Sequence, residues 1–135
     1  MAIYNKFNCT VKDVCEKKHN FATDTLKAAF SNATNAPDAA ADVKLADITT
    51  IDATNLGSTD LITSNSFTSG TYKVVANDKT LTATGDVPAF RYIIIYNDTA
   101  TNDELICYFD YASEVTLHAN DTFKLDFGTE LFSLA

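Results

Sequence analysis

Asn97, Asp98, Asn102, Asp103 and Glu104 place five oxygen-bearing side chains within eight residues. That is the donor type a hard cation such as calcium selects. The carboxylates Asp98, Asp103 and Glu104 are therefore the candidate metal ligands. The stretch lacks the glycine and the alternating acid spacing of a calcium-binding helix-loop-helix. It also separates two apolar runs, AFRYIIIY and ELICYFDY, where Asn, Asp and Thr are the residues that turn a chain cheaply. The turn is the reading the sequence favours, and no metal or cofactor is expected.

Other reactive types are sparse. His19 and His118 are the only histidines, 99 positions apart, and form no zinc motif. The serines lie in polar stretches without a Gly-x-Ser-x-Gly elbow. Cys9 falls on the expected wet face of a helix, beside lysines, which alone does not make a thiolate nucleophile. The four glycines are too far apart for a phosphate loop. Asp110, Glu114 and Asp126 lie on neighbouring expected strands, but sequence does not set them a glycosidase distance apart, and surface acids are the simpler reading. No catalytic residue is assigned and the protein is expected not to be an enzyme.

The elements that would position these groups follow from periodicity. Ile3, Phe7, Val11 and Val14 recur at spacings of four, four and three, one face of an amphipathic helix within residues 1–20, with Asn20 suited to stop it. Beyond it the period falls to two. DTLKAAF reads as a strand, followed by a polar, Ala-rich loop over 31–44. KLADITTI, DLITSNSF, TYKVVAN, KTLTAT, AFRYIIIY, ELICYFDY, EVTLH, TFKLDF and LFSL then read as nine short strands. This predicts one mainly β domain over 1–135, a β-sandwich or jelly-roll-like fold with one N-terminal helix. In AFRYIIIY, alternation puts Phe90, Tyr92, Ile94 and Tyr96 on one face and Ile93 and Ile95 on the other. Both faces then need cover, one from the second sheet and one from the helix or another subunit. The latter possibility leads us to expect a homo-oligomer, a trimer or a dimer.

At 135 residues and 46% hydrophobic the chain can bury a sizeable core without disulfides. Three cysteines without ligand spacing agree with that. No run approaches a membrane span and the start has no signal-peptide core, so synthesis in a cytoplasm is expected. A net charge of −8 with a single arginine, Arg91, argues against nucleic acid as a partner. Residues 1–30 are net +2, five lysines against three acids, while the remainder is net −10. The N-terminal segment, with Ile3, Phe7, Val11 and Val14 and the surrounding Lys12, Lys17 and Lys18, is therefore the candidate partner-binding surface.

The order KFNCTVKDVCEKKHNF, DTLKAAFSN, KLADITTI, SGTYKVVANDKTLTAT, FRYIIIYNDTATNDELICYFDY and TFKLDF resembles a group of small structural proteins of tailed bacteriophages. The likeness runs over nearly the whole chain. It departs from that pattern in its cysteines at 9, 15 and 107 and in its few turn glycines. The resemblance implies a virion protein and brings no catalytic residue with it. On it rests the expectation of a capsid decoration, or cement, protein on the exterior of the shell, bound to the major capsid protein. A tail or head-tail adaptor component is the alternative, and a virion-borne carbohydrate-binding or hydrolytic module a third.

If residues 97–104 are only a turn, millimolar calcium leaves the melting temperature unchanged in a thermal scan. A rise of several degrees would identify a metal site.

Overall fold

A computed structural model of the chain describes residues 2–135. It is mainly β, with antiparallel sheets and one short helix: β1 (Ile3–Lys6), α1 (Cys9–Cys15), β2 (Leu26–Ser31), β3 (Thr63–Thr68), β4 (Thr71–Ala76), β5 (Lys79–Thr82), β6 (Val87–Asn97), β7 (Leu105–Leu117), β8 (Thr122–Leu125) and β9 (Phe132–Leu134). A four-stranded sheet runs β1-β7-β6-β2, a three-stranded one β3-β4-β9, and β5 pairs with β8. Among the described residues no helix is long and apolar enough to cross a membrane.

The main core is sandwich-like. Phe30, Phe90, Ile93, Ile95, Ile106 and Cys107 of the four-stranded sheet meet Val74, Ala76, Leu81, Phe123, Leu125 and Phe132 from the two smaller sheets. Phe90 is central, tilted against Phe30 at 4.9 Å and edge-on to Phe123 at 5.2 Å. Such ring pairs add to the large apolar area each ring removes from water.

Both faces of β6 are covered, as its composition demands, but the chain covers them itself. On the outer face Ile94 packs with Phe7, Ile48 and Leu105, flanked by Cys9, Leu45, Tyr96 and Tyr108. That face therefore does not require a second subunit to cover it. Simple alternation also fails at one point. A register irregularity opposite Arg91, between the Phe90–Val115 and Tyr92–Asp110 pairs, puts Phe90 on the same side as Ile93 and Ile95. On β7 this is where Tyr111–Glu114 bulge out, with Ala112 at φ 68°. The expected strands ELICYFDY and EVTLH are thus one strand interrupted by that bulge.

The N-terminal helix is shorter than its spacing predicts. Ile3–Lys6 are instead an edge strand on β7, in register from Ile3 opposite Asp110 to Lys6 opposite Cys107. Strand pairing there satisfies main-chain groups along a sheet edge that a helix starting at Ile3 would leave bare. The expected stripe is consequently split: Phe7 is buried and Val14 partly so, whereas Ile3 is 60% and Val11 48% exposed. The helix stops at Lys17, not Asn20. Lys17 takes φ 65°, its N–H reaches Val14 O and the Lys18 N–H reaches Asp13 O, which is the Schellman pattern.

KLADITTI is not a strand. Asp47 Oδ2 accepts from the N–H groups of Val43 and Lys44 and folds the segment into a single 3₁₀ turn at Leu45–Asp47. A short acidic side chain that bonds its own backbone competes with a sheet ladder. The 31–44 loop lies over the sheet, with Ala39 O accepting from Asn8 N–H and Val43 O from Leu105 N–H.

Truncating Phe90 to Ala is expected to cost about 3–5 kcal/mol in chemical denaturation. Phe67→Ala, at a side chain 70% exposed, should change stability by less than about 0.5 kcal/mol.

Candidate functional site: a polar cluster beneath the N-terminal helix

The chemistry-bearing side chains converge where α1 meets the turn between β6 and β7. The cause is local. In β7, Ile106 is the extra residue between the Ile95–Cys107 and Tyr96–Leu105 pairs, which breaks the ladder. The Leu105 and Ile106 carbonyls are taken up from the N-terminal segment. Phe7 N–H donates to Ile106 O at 3.1 Å, the Thr10 hydroxyl donates to it at 2.7 Å, and the Cys9 thiol lies 3.7 Å from Leu105 O. Hence α1 presents Thr10 and Asp13 to the protein, with Val14 packed at the margin of the main core and Val11 left exposed.

Asp13 is 3% exposed. Its Oδ1 lies 3.4 Å from Lys18 Nζ, and its Oδ2 has no hydrogen-bond partner among the described residues. Beside it, buried Glu104 accepts from Asn102 N–H at 3.2 Å and Asn102 Nδ2 at 3.3 Å. Cys9, Lys12, Asp13, Lys18, Lys44 and Glu104 are among the residues around a cleft of about 240 Å³. A second chain of polar contacts runs from Asp24 through Asn97 to His19. Asn97 Nδ2 is 2.6 Å from Asp24 Oδ2 and 2.9 Å from His19 Nδ1. Because that amide nitrogen only donates, His19 Nδ1 accepts and the neutral ring carries its proton on Nε2. Nε2 is buried and has no partner among the described residues, and the ring stacks on Phe21 at 5.2 Å.

These environments set the reactivity. Burial, then the neighbouring Asp13 carboxylate, pushes the Cys9 thiol up to about 11. It is a protonated donor at neutral pH, half-buried rather than on a wet face. Cys107 is fully enclosed, and burial raises its pKa further still. His19 is shifted down from the ordinary value, chiefly by burial and against the pull of Asp13, Glu104 and Asp24. What the cluster can do is hold α1, the 18–24 segment and the hairpin turn together; its thiol and imidazole are both in their unreactive neutral forms.

The turn itself uses its oxygens internally. Asn97 Oδ1 accepts from Thr99 and Ala100 N–H, Asp98 pairs with Lys27 at 3.1 Å, and Asp103 takes φ 54°. Among the described residues no group of three or more His, Cys, Asp or Glu side chains is placed to hold a metal ion. The three strand acids are separately engaged. Asp110 grips Arg91 at 2.8 and 3.1 Å, which holds its carboxyl below the usual range; Glu114 accepts from Ala33 N–H; Asp126 accepts from Gly128 N–H. Only Asp126 of these borders the apolar groove of about 490 Å³ between β7 and β8, alongside Phe109, Tyr111, Phe123 and Phe127. His118 is exposed, 3.0 Å from Asp86.

Of the predicted partner-binding residues, Lys12 is exposed and near Glu16, and Lys17 is exposed at the helix end. Lys18 is committed to Asp13. Asp13 and His19 were the residues that sequence reasoning undervalued. The available signal was the Thr10–Asp13 spacing of three, a polar pair on one helical face.

His19 also makes stability depend on pH. Its folded pKa lies below the ordinary 6.5, so as pH falls through that value the unfolded chain binds a proton that the native state refuses. Stability is therefore lost on the acid side until the folded pKa is reached. Between about pH 7 and about pH 5 the melting temperature should fall more for the wild type than for His19→Gln, which keeps an acceptor for Asn97. His118 and Asp103, both shifted up, act in the opposite direction in both proteins. Identical pH profiles would show that His19 is not held neutral by the fold.

The chain matches no protein-family model, no curated protein and no solved structure.

Proposed function

We propose that this chain is a non-enzymatic structural protein of a tailed-bacteriophage particle, a decoration protein that sits on the outer surface of the icosahedral shell and bridges major capsid subunits. The particle assignment comes from the resemblance of the sequence. The structural observation that supports an attachment role is the state of the N-terminal surface. Ile3 on β1, Val11 on α1 and Val43 on the adjoining loop remain exposed, and Lys12 and Lys17 stand out from the same helical segment of an otherwise acidic chain. Apolar anchors with a cationic rim suit a partner surface of mixed or negative charge, the rim acting on encounter rate more than on affinity. The reactive groups, by contrast, are bound up in packing and turn contacts, which fits a binding role. An acidic remainder facing outward would keep crowded copies on a shell apart.

The charge reversal that tests this is Lys12→Glu with Lys17→Glu. Lys18 is left in place, because a carboxylate there would face the buried Asp13. The double variant should fold and bind empty shells more weakly, with a smaller salt dependence than the wild type. Unchanged affinity and salt dependence would remove the N-terminal surface from the interface. Reconstruction of intact particles should show the protein outside the shell in fixed ratio to the major capsid protein; density confined to the tail would overturn the decoration reading.

A further inference from the structure

We propose that the outer edge of β3 is a homodimer interface, in which two copies pair antiparallel about Asn65 and join their three-stranded sheets into one of six. The inference goes beyond the attachment role above and does not depend on it.

Three observations converge on that edge. First, β3 is the end strand of its sheet, and its hydrogen-bonding pattern leaves one side open. Asn77 N–H donates to Ile62 O, and Thr63 lies opposite Ala76. In an antiparallel ladder such pairs alternate, so Ile62, Ser64, Ser66 and Thr68 point their main-chain groups at β4, and Thr63, Asn65 and Phe67 point theirs outward. The comparable edge of β2 is closed, with Ala28 N–H on Thr59 O, Leu61 N–H on Leu26 O and Ile51 N–H on Phe30 O.

Second, none of the usual guards of a free edge is present. From Leu61 to Tyr72 there is no charged residue, no proline and, within the strand, no bulge. In a chain of net charge −8 this is what a second copy requires, since across a two-fold axis every charge meets its own copy or a near neighbour. A foreign partner sets no such condition.

Third, the exposed apolar side chains fit the pairing. Ile62 is 71% and Phe67 70% exposed. Centring the pair on Asn65 aligns all three outward residues of each strand and forms about six main-chain hydrogen bonds. Phe67 then lies beside the partner's Thr63 and Ile62 beside the partner's Thr68, while the two Asn65 side chains flank the axis, each Nδ2 donating to Phe21 O of its own copy at 3.4 Å. Phe67 shares its sheet face with Tyr72 and Leu134, directly across the ladder, so a neighbouring strand covers the open end of an apolar row already in place.

The contact is short, which puts it among weak, concentration-dependent interfaces. Sedimentation of the full chain from low to high micromolar should show a monomer passing to a dimer. Ile62→Lys with Phe67→Lys should remain a monomer with an unchanged melting temperature. Register is tested by cysteine pairing in a Cys15→Ser background, Cys15 being the exposed native thiol. Two Cα atoms at position 65 would stand about 5.5 Å apart, within disulfide reach, whereas those at position 66 would be offset by two residues, about 7 Å along the strand. Oxidised Asn65→Cys should become a covalent dimer and Ser66→Cys should not. A wild type that is monomeric throughout, or a double-lysine variant that still dimerises, would overturn the interface. Equal cross-linking at 65 and 66 would overturn the register.

Discussion

Strand β6 has to be dry on both faces, and the rest of the architecture answers that requirement. Its Ile93 and Ile95 form part of the main core, and its Ile94 lies on the opposite face with Phe7, Ile48 and Leu105. An antiparallel sheet ordinarily needs cover on one face only. Here the second cover is made from segments that are poor in regular structure: the residues leading into α1, the long 31–44 loop and the turn around Leu45. Burying a continuous apolar strand is favourable at roughly 25 cal/mol per Å² of apolar area. That is a sufficient reason for loops to be laid down against it.

Covering a sheet face with loops raises a second requirement, since their main-chain groups leave water. The irregularity at Ile106 helps to meet it. By breaking the β6–β7 ladder there, it presents carbonyls to the Phe7 amide and the Thr10 hydroxyl. The helix is thus anchored by hydrogen bonds on its polar side, and Val11 is left in solvent. Asp13 and His19 are drawn into the same buried region, each with one unsatisfied atom. Burial of these groups is a consequence of the docking geometry, and it leaves thiol and imidazole neutral.

The surface divides in a related way. Carboxylates outside the cluster are used where the chain turns, capping their own loops or pairing with lysines, as Asp98 does with Lys27 and Asp78 with Lys124. Apart from Tyr111 on β7, the large apolar side chains left exposed lie on the N-terminal elements, at Val43 on the adjoining loop and around the edge strand β3.

Much of this was determined by the sequence by itself. Period-two patterning marked β2, β4, β5, β6 and β8 close to where they occur, because alternation of apolar and polar residues is the direct signature of a half-buried strand. The turn character of residues 97–104 was equally legible, since Asn and Asp bond their own backbone wherever they stand. The tertiary structure decided the rest. Ile3, Phe7, Val11 and Val14 satisfy a helical period, yet Ile3 went to a strand because the exposed edge of β7, more than a hundred residues away, offered it a ladder. KLADITTI is rich in the Ile and Thr that strands favour, yet Asp47 closed it into a turn. Phe90 changed faces where the ladder is irregular, four residues of β7, Tyr111–Glu114, standing opposite Arg91 alone, so that alternation does not carry across the break. In each case local periodicity was correct about which residues are apolar, while the partner that selects between helix, strand and turn lies far off in the chain and is brought near only by the fold.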